Sequence, residues 1–131
     1  MRTNLDVDPT QTRAYTKLIV WQVAMDLVVE VYALLRRLPI EERYALSAQL
    51  RRAVVSVPAN IAEGEGRHGR RELAHHLRIA RGSLAEVDTL LRICVRLRYL
   101  SETAVEAAAS LFIRARQLLQ RLLQHAEQDA S

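Results

Sequence analysis

The sequence predicts an all-α fold, an antiparallel up-and-down bundle of four helices, and three observations predict it. The composition is helix-forming: 131 residues, half of them apolar, with 5% aromatics, four glycines and three prolines, the bulk being Leu, Ala, Val and Arg. Apolar residues recur at alternating spacings of three and four along four segments, and no segment reads as a strand. The connections between these segments are short, so each helix turns back against the one before it. A chain of this length supports one core, and the expected domain is a bundle over 16–127 with tails at 1–15 and 128–131.

The first helix is predicted over 18–37, where Trp21, Ala24, Val28, Val31, Leu35 and Leu38 form a heptad seam. Val20, Leu27 and Leu34 make a second row and Leu18, Met25 and Tyr32 a third, leaving only Gln22, Asp26 and Glu30 as a polar stripe. Such a helix needs more than one apolar neighbour. Pro39 ends it, because a residue before proline is pushed out of the α region.

The second helix, over 42–63, is predicted to bury Ala45, Leu46, Gln49, Leu50, Ala53, Val54, Val57 and Ile61. Pro58 lies inside it, removing one backbone donor and crowding the carbonyl of Val54. A kink, or a split into two short helices, is expected at Ser56 and Val57. Gly64, Gly66 and Gly69 then supply a turn.

The third helix, over 70–98, has the cleanest seam: Leu73, Leu77, Ala80, Leu84, Val87, Leu91 and Cys94. A second row of Leu90, Ile93, Leu97 and Leu100 suggests a contact beyond the intramolecular core, and Gly82 and Ser83 are small enough to let another helix approach. Ser101 is a predicted N-cap for the last helix, over 102–127, whose seam is Ala104, Ala108, Leu111, Ala115, Leu118 and Leu122.

Composition also bounds the function. The lone cysteine, Cys94, excludes a disulfide framework and a zinc site of paired thiolates, as expected in a reducing cytosol. No run of eighteen uncharged apolar residues and no apolar leader occurs, so a cytoplasmic location without a membrane partner is expected. The net charge is +4, and it is uneven: residues 36–98 hold 13 Arg against 7 acids, while the remainder holds 6 bases and 8 acids. A polyanion partner fits the electropositive middle.

Catalytic chemistry finds no support. His68, Glu72, His75 and His76 include the Glu-x-x-His spacing of di-iron bundles, but no second such pair exists, so neither metal nor other cofactor is expected. Cys94 lies on the core seam without an acid or imidazole at helical spacing, and Ser56 and Ser83 lack a histidine that the sequence places beside them. The remaining signal is basic: Arg51, Arg52, Arg67, Arg70, Arg71, Arg78 and Arg81, followed by Arg92 and Arg96. Many weak charge contacts on one helical face suffice to bind a phosphate backbone. Ordinary surface pairs are also expected, Asp88 with Arg92 and Glu86 with Arg81 or their neighbours.

The second segment is more specific. Gln49-Leu50-Arg51-Arg52-Ala53 and Ser56-Val57-Pro58-Ala59-Asn60-Ile61-Ala62-Glu63-Gly64, with Leu18–Gln22, Leu38-Pro39 and Ile79–Glu86, resemble the four-helix-bundle proteins encoded by intervening sequences in bacterial 23S ribosomal RNA genes. The resemblance covers about residues 18–100 and implies a ring-like homopentamer. It also implies kinship with the accessory variability determinant of diversity-generating retroelements, a basic pentamer that binds its reverse transcriptase and nucleic acid. The signature residues Gln49, Ser56, Pro58, Asn60, Glu63, Gly64, Gly82, Ser83 and Glu86 have an architectural reading: Pro58 sets a kink, Ser56 and Asn60 bond backbone groups freed by it, Gly64 ends the helix, and Glu63 pairs with an arginine. The chain carries Glu65 where relatives often have an aromatic or apolar residue, and arginines in place of lysines. Two functions follow: a non-enzymatic nucleic-acid or ribonucleoprotein adaptor, and a protein-interaction scaffold that binds no nucleic acid.

Overall fold

The computed structural model describes residues 14–67 and 69–130, and of the predicted tail at 1–15 all but Ala14 and Tyr15 lie outside them. A 3-10 turn, Ala14–Lys17, leads into α1 (Ile19–Leu35), and the Tyr15 ring meets Trp21 edge-on at 5.4 Å. A second 3-10 turn, Ile40–Glu42, starts from Pro39 and precedes α2 (Leu46–Gly66). The last two helices are α3 (Arg70–Arg96) and α4 (Glu106–Ala130). Each helix packs on its two neighbours, with α4 closing against α1.

Contacts fix the directions. Ser83 meets Ser56, His76 meets Asn60 and Tyr99 meets Glu42, so α3 runs antiparallel to α2. Arg78, near the start of α3, pairs with Glu127 at the end of α4, and the beginning of α1 shares a groove with Leu118, Leu122 and His125 of α4. The order is therefore up, down, up, down, as the short connections predict.

Every residue of the predicted α3 seam is buried. The neighbouring seams are rotated. In α1 the buried row is Val20, Val23, Ala24, Leu27, Val31 and Leu34, while Trp21, Val28 and Leu35 only flank it. In α4, Ala108 and Ala115 are buried with Leu119, Leu123 and Ala126, and Leu111, Leu118 and Leu122 are half-buried. Ala45 and Gln49 of the predicted α2 seam are exposed.

Four features differ from expectation. α2 does not split at Pro58: it continues as one helix to Gly66, with Pro58 buried. Gly64 does not end that helix. A Cβ there would lie 2.9 Å from Cβ of His76 and 3.3 Å from Leu73 Cδ1, so the missing side chain serves close approach of α2 to α3. α3 stops earlier than expected in a Schellman arrangement, Tyr99 N–H to the Cys94 carbonyl at 2.9 Å and Arg98 N–H to that of Val95 at 3.0 Å. Arg98 supplies the left-handed residue, φ 66°, a position that favours glycine. Ser101 Oγ accepts from the Ala104 amide at 3.0 Å, as predicted for a cap, but the intervening turns become regular α-helix only at Glu106.

Candidate nucleic-acid interface

Four of the signature residues, Ser56, Asn60, Gly64 and Ser83, meet along the α2–α3 seam. Asn60 Nδ2 donates to the Ser56 carbonyl at 2.9 Å and to Ser56 Oγ at 3.0 Å, while Ser83 Oγ donates to the same hydroxyl oxygen at 2.8 Å. Asn60 Oδ1 stands 3.0 Å from His76 Nδ1. A carbonyl oxygen only accepts, so His76 carries its proton on Nδ1 here. The result is a four-residue polar ladder tying the middle of α2 to α3, and it takes His76 out of the predicted histidine cluster. Glu72 and His75 are exposed and His68 lies outside the described residues; among those described, no three ligand-type side chains converge.

Glu63 binds Arg67 at 2.8 Å, the intrachain option of the pair expected for it. Gln49 and Glu86 are exposed. Gly82 is exposed too, and no atom lies within 4 Å of where its Cβ would be, so within one protomer it admits no close helix.

The basic candidates do not form one belt. Arg51 donates to the Arg43 carbonyl at 3.3 Å, and Arg52 lies one turn before Ser56 on the α2 edge nearest α3. Arg71, Arg78, Arg81, Arg92 and Arg96 instead fall within about 100° of arc on α3, toward α4. Arg78 is held by Glu127 at 2.8 Å, and Arg92 by Asp88 at 3.0 Å as predicted. Arg70 opens the same helix and is itself engaged. The expected Arg81–Glu86 pair is absent among the described residues, since five positions along a helix set side chains about 140° apart. Arg71, Arg81 and Arg96 are exposed and make no ion pair with a described residue.

The sequence reading missed what lies beside this row. Between the end of α3 and the start of α4 opens a groove of about 420 Å³. Its floor includes Leu91, Val95, Val105, Ala108 and Phe112, and its lips carry Asp88, Arg92 and Arg96 on one side and Glu102 and Glu106 on the other. Phe112 is the chain's single phenylalanine, and the Arg116 guanidinium lies over its ring, 5.3 Å from the centroid. A lone aromatic preceded by a run of three alanines was the available signal.

Two further groups are structural. The Glu42 carboxylate accepts the Tyr99 hydroxyl at 2.9 Å and the Leu46 amide at 3.3 Å, holding the α3–α4 connection to the start of α2. That hydrogen bond raises the Tyr99 pKa above the ordinary phenol value. Burial, and then the negative charge of Glu42, push the Cys94 thiol up to about 11, so it packs as a small apolar side chain. Among the described residues, no helix is long and apolar enough to cross a membrane.

Comparison with known proteins agrees with this architecture. A crystal structure of a protein of unknown function from the S23 ribosomal protein family of Bacteroides thetaiotaomicron VPI-5482 superposes with a TM-score of 0.74 at 23% identity, covering 81% of this chain and 96% of the other. At that identity the likeness speaks to the fold alone. No curated protein matches the chain. The family model for the 23S rRNA-intervening sequence protein, however, matches residues 16–121, most of the chain and the whole of its first three helices. The chain therefore belongs to the 23S rRNA-intervening sequence protein family.

Proposed function

We propose that the protein is a non-enzymatic, oligomeric adaptor that holds nucleic acid on the arginine row of α3. The observation that carries this reading is the alignment of Arg71, Arg78, Arg81, Arg92 and Arg96 on one flank, with Arg71, Arg81 and Arg96 unpaired among the described residues. Exposed cations in a line recruit phosphates by releasing condensed counterions, without reading bases. A reverse transcriptase or another ribonucleoprotein is the partner class that fits such a surface.

Assembly is the second component. Outside the core, α1 exposes Met25, Val29 and Tyr32, α3 exposes Ile79 and Ile93, and its C-cap exposes Leu97, with Val29 69% and Leu97 51% accessible, while Leu90 and Leu100 of the predicted outer row are buried in the core. Two different apolar faces on one chain suit a head-to-tail contact that closes into a ring, here a homopentamer. A bend of α2 at Pro58 sets the outward surface for that contact.

The competing reading, a protein scaffold indifferent to nucleic acid, draws on the ion pairs that neutralise Arg67, Arg78 and Arg92. Filter binding of a structured RNA across a salt series decides between them. Log affinity should fall steeply with log salt, each phosphate neutralised contributing a slope of roughly −0.7 to −0.9. Combined Arg71→Glu, Arg81→Glu and Arg96→Glu substitutions should abolish binding while helical content and sedimentation stay unchanged. The absence of appreciable affinity at physiological salt decides for the scaffold, and a 14.9 kDa monomer at micromolar concentration overturns the ring.

A further inference from the structure

The groove between α3 and α4 has the parts of a site for one unstacked base. Its floor is apolar and includes an aromatic ring, Phe112, already covered by the Arg116 cation. A flat π-system entering from solvent meets that aromatic surface, and stacking of this kind is indifferent to base identity. Ala108 and Ala109, where longer side chains would fill the space, leave room for it.

The lips divide the charges. On the α3 side, Asp88 occupies Nε of Arg92, which leaves the terminal nitrogens of that guanidinium directed elsewhere, with its side chain 77% accessible. Arg96, one turn on, adds a second cation at the groove's edge. On the α4 side stand only acceptors, the carboxylates of Glu102 and Glu106. A phosphate matches Arg92 and Arg96 on the first lip and an exocyclic amine matches the second, which favours an amine-bearing base, adenine, cytosine or guanine, over uracil.

The arginine row continues from this groove back to Arg71, 25 residues along α3, or about 38 Å at 1.5 Å per residue. That length matches a run of phosphates rather than one nucleotide. We infer that this groove seats an unstacked, amine-bearing base of a single-stranded nucleic acid whose backbone follows the arginine row. The inference deepens the nucleic-acid reading above and rests on it.

The test uses the full chain with fluorescein-labelled oligo(A), oligo(U) and a duplex of equal charge, in fluorescence anisotropy at fixed salt. Oligo(A) should bind about tenfold more tightly than the duplex, as expected for one stacked base, and more tightly than oligo(U). Phe112→Leu, which keeps an apolar side chain in place, should collapse that preference toward unity, with helical content measured by circular dichroism as the control. Glu102→Gln with Glu106→Gln should narrow the gap between oligo(A) and oligo(U). If Phe112→Leu retains the full single-strand preference, the groove assignment is wrong while the arginine-row reading stands. If none of the three probes binds at low salt, both readings fall together.

Discussion

The two flanks of α3 are built on opposite principles. Toward α2 the helices close: Gly64 lets backbone come against Cβ of His76, and Ser56, Asn60, His76 and Ser83 bond one another across the seam. Toward α4 they part, leaving an apolar-floored groove with charged lips and the arginine row alongside. Four of the signature residues, Ser56, Asn60, Gly64 and Ser83, stand on this closed flank, three of them bonding across or along the seam. A dense motif in this chain therefore marks a mechanical joint, and the surface with room for a ligand lies where the motif is thin.

That contrast can be broken most directly at Gly64. An alanine there places Cβ 2.9 Å from His76 Cβ, an atom at the root of its side chain that cannot swing aside. Overpacking of about 1–3 kcal/mol exceeds the roughly 1 kcal/mol that alanine gains over glycine as a helix former. Gly64→Ala should therefore destabilise the protein by up to about 2 kcal/mol in urea unfolding. Stabilisation instead would mean that the seam has slack.

Asn60→Ala attacks the same flank more gently. It removes the bonds to the Ser56 carbonyl and hydroxyl and leaves the His76 Nδ1–H unsatisfied at a half-buried position. A loss of about 1 kcal/mol is expected, read as a shifted urea midpoint with an unchanged slope. Nucleic-acid affinity should not follow it, because the ladder faces α2 and the arginine row faces α4. A parallel loss of affinity would erase the distinction between the flanks.

How far these flanks were legible depended on how strictly each helix alternates. In α3 the apolar row has arginines and acids on either side, so all seven predicted core residues are buried, joined by Ala74 and Leu90. In α1 apolar residues cover almost the whole circumference, and Val20, Leu27 and Leu34 proved to be core where Trp21, Val28 and Leu35 were equally good on spacing. The doublets Leu118-Leu119 and Leu122-Leu123 offer α4 two registers, and packing selected the second residue of each. Pro58 and Gly64 were visible as unusual residues, but their consequences depended on a neighbour. A continuous α2 and a close approach at Gly64 are set by α3, and no local rule contains α3. The groove was illegible for the same reason, since it joins residues of α3 to a ring and two carboxylates beyond a turn.

Gly82 sharpens the comparison with the smallest effect. Like Gly64 it stands inside a helix and inside the signature, yet it is exposed and its missing Cβ faces open space. A mid-helix glycine of this kind costs about 1 kcal/mol relative to alanine, with no compensating contact inside the protomer. If the stretch between the exposed Ile79 and Ile93 is covered by another copy in the proposed ring, the compensation lies there. Gly82→Ala should then act in two directions. At high dilution, where chains are apart, unfolding should shift toward greater stability by about 1 kcal/mol, or about 4 °C in melting temperature. At micromolar concentration, sedimentation should show weaker self-association than the parent. A variant that is more stable and assembles as before would place the contact elsewhere, and the exposed apolar face of α1, with Met25, Val29 and Tyr32, would be left as the surface to test.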